Sequence, residues 1–132
     1  MKTIVILALV GGAIAGIAWF ISKSPKVSDV DIISRNGIHW HPELTITIKG
    51  RQEIIPADVG LGVVHQTLHT HDATGILHLE IPGLVTKDDT RLARFFKIWG
   101  KRFDKECIVD SCNSTEGTVK FSVNGEPNQD FE

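Results

Sequence analysis

Several residue types that carry common chemistries are scarce in this chain of 132 residues. Tyrosine is absent, methionine occurs only as Met1, and there are two cysteines. The lack of tyrosine excludes a phenol as a catalytic acid, and the lack of an internal methionine excludes a thioether ligand for Cu(I). Cys107 and Cys112 form no Cys-x-x-Cys redox pair, and they lie too far along the chain from the histidines to resemble a blue-copper motif.

Basic charge is also in short supply. With Lys2 and Lys23 set aside, 12 of the 14 basic residues remain against 16 acidic ones, a net charge near −4. A general nucleic-acid binder needs a basic face, so no nucleic-acid partner is expected. A glycine-rich phosphate loop is missing from the sequence, and neither Ser34 nor Ser122 has the neighbours of an activated nucleophile.

The longest hydrophobic run lies at the N-terminus, where nineteen uncharged residues, 3–21, stand between Lys2 and Lys23. A bilayer-spanning helix needs about 20 apolar residues, whereas the apolar core of a cleaved signal peptide has about 7 to 15. We therefore predict that residues 1–24 are a membrane anchor rather than a cleaved signal segment, with the lipid bilayer as partner of residues 3–21. Residues 25–37 are expected to be a tether, and residues 38–132 a single domain.

The two cysteines help to predict on which side of the membrane the domain lies. Cys107 and Cys112 are separated by four residues in a polar stretch. Outside the cytosol such a pair usually forms a disulfide, whereas inside it binds a metal or remains as thiols. The positive charges that flank the hydrophobic run do not decide the orientation. We expect a disulfide and a domain on the extracytoplasmic side, with any protein partner unidentified.

Hydrophobic alternation and turn residues predict an α+β fold, a small and mostly antiparallel sheet with one covering helix. The expected strands are Glu43–Ile48, Glu53–Ile55, Ile76–Ile81 and Thr118–Val123. The expected helix starts at Asp88 or Asp89 and ends at Trp99, before Gly100. Its apolar stripe consists of Leu92, Phe95, Phe96 and Trp99. We expect this stripe and Trp40 to lie in the core.

Histidine is the residue type that stands out. It occurs in three short words, which are His39-Trp-His41, His69-Thr-His71 and His78-Leu-Glu80. In an extended strand, positions i and i+2 point the same way, with Cα atoms about 6.5 to 7 Å apart. Imidazole is the commonest metal ligand in proteins, and a carboxylate completes a familiar ligand set. The sequence therefore predicts a Zn²⁺ or Cu²⁺ site formed by His39, His41, His69, His71, His78 and Glu80.

Convergence of these words depends on which strands are neighbours. His39 and His41 precede the first predicted strand. His69 and His71 precede the third predicted strand, and His78 lies within it. The histidines therefore come together if the first and third strands are neighbours. Asp72 is either an acceptor that fixes the tautomer of a ligand or the first residue of a turn. Glu80 is either a ligand or a base acting on metal-bound water. His65 lies outside the pairs and is not expected to be a ligand.

Several words of the sequence together resemble a family of small extracytoplasmic proteins of bacteria and archaea that carry a single membrane span or a signal segment. The words are His39-Trp-His41, Ile48-Lys-Gly50, Ile55-Pro-Ala57, Leu68-His-Thr-His-Asp-Ala-Thr-Gly-Ile76, His78-Leu-Glu80, Phe95-Phe-Lys-Ile-Trp-Gly100 and Val123-Asn-Gly125. The resemblance covers residues 38–125, and it implies an anchored domain whose shared polar set is the six residues named above, without implying an activity. Similar proteins continue past the Asn-Gly turn into a further strand, so the last hairpin is expected to be incomplete here.

Three functions fit these patterns. The first is a membrane-anchored metal-binding protein with His69, His71 and His78 as core ligands, completed by His39, His41 or Glu80. The second is a metal-dependent enzyme, a hydrolase or oxidase with Glu80 as its base. The third is an interaction module of a surface complex, in which the histidine-rich face is only structural. Binding or delivery is preferred, because Glu80 is the only acid–base partner that the histidine words supply.

Overall fold

The fold is α+β and is built from short antiparallel strands. The computed structural model describes the backbone of residues 2–23 and 28–131 and the side chains of residues 12–23 and 28–131. The helices are α1 (Lys2–Lys23) and α2 (Leu92–Trp99), with 3₁₀ helices at Asp29–Asp31 and Lys87–Thr90. The strands are β1 (Ile32–Ser34), β2 (Ile38–Trp40), β3 (Ile46–Ile48), β4 (Arg51–Glu53), β5 (Leu68–His69), β6 (His78–Ile81), β7 (Val85–Thr86), β8 (Arg102–Phe103), β9 (Cys107–Val109), β10 (Ser111–Cys112), β11 (Phe121–Val123) and β12 (Glu126–Asn128).

The strands do not join into the one sheet expected from the sequence. Three-stranded sheets have the orders β2-β6-β5 and β8-β9-β10, and three further pairs are β1-β7, β3-β4 and β11-β12. Each described pair is antiparallel. The strands are two to four residues long, too short for a continuous ladder. The sheet β2-β6-β5 carries the histidines and is the part that matters for function.

Helix α2 supplies the centre of the hydrophobic core, as predicted. Phe95 and Phe96 are fully buried, while Leu92 and Trp99 are partly buried against the same cluster. Gly100 ends the helix in the left-handed conformation, with φ 75°, which glycine adopts without a Cβ clash. The helix packs against β8 and against β5, which is an edge strand of the sheet that carries the histidines.

The start predicted for this helix is wrong. Residues Lys87–Thr90 form a 3₁₀ helix, and Arg91 is extended, with ψ 133°, before α2 begins. Thr86 precedes the 3₁₀ helix, and its backbone N–H and its hydroxyl donate to Oδ2 of Asp89 at 2.9 and 2.7 Å. Asp89 therefore closes a capping box from its third position instead of capping the helix itself. These two hydrogen bonds lower the pKa of Asp89, and the one from the backbone N–H makes the larger contribution.

The first hairpin is tighter than the sequence predicts. Lys49 and Gly50 both have positive φ, 49° and 77°, which is the geometry of a two-residue hairpin turn. Strand β4 therefore starts at Arg51, whereas a longer turn and a return strand at Glu53–Ile55 were expected. Strand β3 covers only the last half of Glu43–Ile48, and Glu43 makes an isolated bridge to Ile76.

Several strands lie outside the four expected segments, and two of them, β1 and β12, bear on other expectations. Residues 32–34, inside the predicted tether, form β1 and pair with β7. Strand β12 pairs with β11 over Phe121↔Asn128 and Val123↔Glu126, so a paired strand follows the Asn-Gly turn in this chain. The turn between them has positive φ at Asn124 and at Gly125, and this allows the chain to return within two residues.

The disulfide expected from the two cysteines is present. Cys107 and Cys112 are bonded and face each other across the β9–β10 pair. A thiolate metal site at this pair, the alternative left open by the sequence, is therefore excluded in the oxidised protein.

The N-terminal segment is helical over Lys2–Lys23. The side chains of residues 1–11 and of residue 24, in the predicted anchor, lie outside those that the structure describes, as do residues 25–27 of the predicted tether. Within the described residues, no helix has both the length and the apolar character that a membrane crossing requires.

Candidate metal centre

Strand β6 lies between the two other histidine-bearing strands. In the β6–β5 pair His78 is directly opposite His69, and in the β6–β2 pair Glu80 is directly opposite His39. Side chains that are directly opposite in an antiparallel pair lie about 4.5 to 5.5 Å apart at Cβ. The register therefore places histidines from three distant segments on one face of one sheet.

The alternation predicted for the third strand is confirmed by burial. Leu77, Leu79 and Ile81 are buried, whereas His78 and Glu80 point to the opposite face. One apolar residue on the core face departs from the prediction, since Trp40 is 46% exposed. Strand β2 is an edge strand and α2 packs on the other edge, at β5, so Trp40 is left at the rim of the core.

The strands meet for a partly different reason from the one assumed. The strand that carries His39 is itself the neighbour of β6, whereas β3 pairs with β4 and the predicted first strand reaches the third at the Glu43↔Ile76 bridge. The ladder continues past β2, because Leu77 donates its N–H to the carbonyl of Pro42 at 2.9 Å. This extension sets His41 beside His78, with ring centroids 4.6 Å apart.

The inner part of the site is centred on His69. Its side chain is fully buried, and its Nδ1 lies 3.0 Å from the carbonyl of Gln66. A carbonyl only accepts, so Nδ1 carries the proton and Nε2 presents a lone pair. Nε2 of His71 lies 3.2 Å from that nitrogen and Nε2 of His65 lies 3.5 Å from it.

These nitrogen separations are compatible with two imidazoles that bind the same metal ion. Zn–N bonds of about 2.0–2.1 Å in a tetrahedral site put neighbouring ligand nitrogens about 3.3 Å apart. The pairs His69–His71 and His65–His69, at 3.2 and 3.5 Å, lie on either side of that value. The Gln66 carbonyl supplies the outer hydrogen bond that a metal-binding histidine usually makes through its second nitrogen.

The threonine within the second histidine pair anchors this arrangement. Thr70 is fully buried, and its hydroxyl donates to the carbonyl of Pro56 at 2.8 Å and accepts the N–H of Val59 at 3.1 Å. Its backbone N–H and carbonyl also bond to Val59 and Asp58. The chain is therefore held extended at Thr70, so that His69 and His71 point to the face opposite its hydroxyl.

The segment tied down by Thr70, residues 57–66, folds over His69 and buries it. Gly60 has φ +82°, and a Cβ added there would lie 2.7 Å from the carbonyl oxygen of Leu68 and 3.1 Å from Cβ of His69. Only glycine allows the backbone to approach so closely. The N–H of Gln66 then bonds to the carbonyl of Gly60 at 2.9 Å, and His65 is turned back toward the site.

Two histidines have lowered pKa values. Burial is the largest cause for His69, and His65 and His71 add to it, while the hydrogen bond to Gln66 and the charge of Glu80 oppose it. For His78 burial is again the largest cause, followed by the neighbouring His71 and His41. A lowered pKa keeps the imidazole neutral near pH 7, which is the form that binds metal.

The outer part of the site is more exposed. Oε1 of Glu80 lies 3.2 Å from Nε2 of His39 and 4.0 Å from Nδ1 of His78. The His39 side chain is 64% exposed and the His78 side chain 21% exposed. His41 packs against both, with ring centroids 4.7 Å from that of His39 and 4.6 Å from that of His78.

The ligand atoms fall into two overlapping groups. The inner site, as we call it, consists of His69, His71, His78 and Glu80, and the outer site consists of His39, His41 and His78. Within each group the ligand atoms lie no more than 4.8 Å from one another. All six residues predicted from the sequence are therefore brought together, although their binding of a metal stays a prediction.

The structure changes the expectation for His65 and decides between the two roles considered for Asp72. His65, set aside because it has no His-x-His partner, contacts His69 at the inner site. Asp72, in contrast, accepts hydrogen bonds from the N–H and the hydroxyl of Thr74, so its turn role is the correct one. The same two bonds lower the pKa of Asp72. The sequence signal for this position of His65 is the pair of glycines that precede it, Gly60 and Gly62. They favour a loop that folds back and brings His65 toward His69.

Comparison of the chain with protein-family models, with curated proteins and with solved structures gives no match. The functional argument therefore depends on the geometry of the histidines.

Proposed function

We propose that this chain is a membrane-anchored, extracytoplasmic metal-binding protein that holds Zn²⁺ or Cu²⁺ through its histidines. The observation that carries the proposal is the inner site, where one ligand atom from each of His69, His71, His78 and Glu80 lies within 4.8 Å of the others. The Gln66 carbonyl fixes the tautomer of His69, so the lone pair of this ring is on Nε2, the nitrogen that His71 approaches to 3.2 Å.

Hydrogen bonding among the rings accounts for this arrangement less well than a metal does. With its proton held at Nδ1, His69 offers Nε2 as an acceptor for one well-aligned N–H, yet two ring nitrogens approach it. Burial lowers the pKa of His69 and opposes a cationic ring as the remedy. A cation bound at the inner site is coordinated by the lone pair of His69 together with those of His71 and His78.

The donor set favours zinc or copper. Neutral imidazoles with one carboxylate suit both Zn²⁺ and Cu²⁺, while Mg²⁺ and Ca²⁺ prefer an all-oxygen shell. Among the described residues, the inner and outer sites include no carboxylate other than Glu80. Oε1 of Glu80 lies 3.2 Å from Nε2 of His39. Because this carboxylate already has an imidazole as partner, we favour metal binding or delivery over hydrolysis with Glu80 as the base.

The location outside the cytosol and the membrane anchor belong to the same proposal. The Cys107–Cys112 disulfide supports an oxidising compartment. On helix α1 Ile14, Ile17 and Ile21 are 60 to 64% exposed, which supports an environment other than water for this helix. Removal of residues 3–21 should release the protein from the membrane fraction in cells, and continued sedimentation with membranes would contradict the anchor.

Metal binding is tested on the full chain, purified in detergent without a histidine tag. His71→Ala is the informative variant, because His71 is exposed and its loss should leave the core intact while lowering Zn²⁺ affinity at least about tenfold. Asp72→Asn is the matched control, since the amide oxygen still accepts from Thr74. Equal affinities of His71→Ala and Asp72→Asn for Zn²⁺ and Cu²⁺ would contradict the proposed site.

A further inference from the structure

The histidines offer more ligands than one ion takes. A structural zinc site is almost always four-coordinate, whereas this face carries six imidazoles and the carboxylate of Glu80. The ring contacts run without interruption from His65 through His69, His71 and His78 to His41 and His39. The ligand atoms of five of these histidines and of Glu80 form two overlapping groups, the inner and the outer site, which share His78.

The two groups meet at His78. The ring centroid of His78 lies 4.4 Å from that of His71, a member of the inner site, and 4.6 Å from that of His41, a member of the outer site. His69 and His39 come from strands on opposite sides of β6. One ion bound between His69 and His71 is therefore on the side of β5, while His39 and His41 are directed to the side of β2.

We propose that this face binds two transition-metal ions at the same time, one at the inner site and one at the outer site, with His78 as a ligand of both. The inference rests on the proposed metal-binding function and extends it. An imidazole has two ring nitrogens, and each binds one ion when the ring loses its remaining N–H proton to solvent. Glu80, next to both His39 and His78, supplies negative charge between the two cations.

The two ions should differ in affinity. His69 is fully buried and its ring is held by the Gln66 carbonyl, so the inner site is largely formed before the ion arrives. His65 stands 3.5 Å from His69 as a further donor on this side. The outer site depends on exposed side chains, His39 and His41, which lose rotamer freedom on binding. The inner ion is therefore bound more tightly, and the outer ion exchanges more readily with solvent or a partner.

Zn²⁺ titration of the full chain by calorimetry, with elemental analysis after dialysis, tests the proposal. The expected result is two equivalents with different affinities. His41→Ala should abolish the weaker binding and leave the tighter binding unchanged within about threefold, while His71→Ala should weaken the tighter one at least about tenfold. His78→Ala should weaken both.

Each other outcome has a distinct meaning. Binding of a single equivalent of Zn²⁺ overturns the second ion and leaves the proposed function intact. This holds whether His41→Ala and His71→Ala both lower the affinity for that ion or His41→Ala has no effect on it. Two equivalents of which His78→Ala weakens only one overturn the sharing of His78. No uptake at all overturns the proposed function itself.

A second measurement avoids any folding defect in a His78 variant. In the wild-type chain loaded with two equivalents of Cu²⁺, an imidazolate of His78 couples the two unpaired spins. The electron paramagnetic resonance signal should then integrate to far fewer spins than the bound copper, and His41→Ala with one equivalent should restore full intensity. Full intensity in the wild-type protein with two bound ions would overturn the shared ligand.

Discussion

Substitution of Gly60 by alanine tests whether the loop over His69 shapes the metal centre. Gly60 has φ +82°, and a new Cβ would lie 2.7 Å from the backbone oxygen of Leu68 and 3.1 Å from Cβ of His69. The left-handed conformation costs a non-glycine residue about 1–2 kcal/mol. Relief of the contact with a backbone oxygen requires the loop or β5 to shift, which adds about 1–3 kcal/mol. The free energy of unfolding should therefore fall by about 2–5 kcal/mol.

Gly50 provides a matched control for this experiment. It has a similar φ of +77°, but a Cβ there would meet nothing within 4 Å, so Gly50→Ala should cost only the about 1–2 kcal/mol of conformation. Urea unfolding of the two variants measures the difference, and Zn²⁺ titration measures its consequence. Gly60→Ala should lower Zn²⁺ affinity at least about tenfold, because it displaces the backbone that positions His69, and Gly50→Ala should not. Equal stabilities and equal affinities in the two variants would refute the role assigned to the loop.

Two further predictions concern the second histidine pair. Thr70→Val removes the hydroxyl partner of the Pro56 carbonyl and of the partly buried N–H of Val59, so it should reduce the free energy of unfolding by about 1–3 kcal/mol. The exposed Thr47→Val should change it by less than about 0.5 kcal/mol, and similar losses in the two variants would contradict the anchoring role. The lowered pKa values of His69 and His78, below their ordinary value of 6.5, mean that the unfolded chain takes up protons as the pH falls through 6.5 while the folded chain does not. The metal-free protein should therefore lose stability on acidification below pH 6.5 in urea unfolding with a chelator present, and His69→Gln should weaken this dependence; an unchanged slope in that variant would contradict the assignment.

Much of the site was predictable because it depends on short-range geometry. Alternation along Ile76–Ile81 separates Leu77, Leu79 and Ile81 from His78 and Glu80, and the structure has the same division. The same reasoning identifies the apolar stripe of α2, whose positions are set by helical periodicity. In these elements the local pattern and the buried face agree, so the sequence alone is informative.

The remaining features depend on pairing between distant segments. The neighbour of β6 is the strand of His39, and no alternation marks so short a strand as Ile38–Trp40. His65 reaches His69 through the fold of residues 57–66, which is held by hydrogen bonds from Thr70. Thr86 was not predicted as an N-cap residue because Asp88 and Asp89, which follow it, belong to a residue type that caps helices equally well. Tertiary contacts decide which segments pair and which residue caps the helix, and the periodicity of the sequence does not reveal these contacts.

Metal content of the untagged full chain is the most direct test of the central claim that these imidazoles share an ion. Elemental analysis of the protein purified in detergent, repeated after chelator treatment and reloading with Zn²⁺ or Cu²⁺, should find at least one equivalent of zinc or copper in the wild type and a clear loss of uptake in a His69→Ala, His71→Ala double variant. A folded wild-type protein that carries no metal and takes up neither ion would contradict the account.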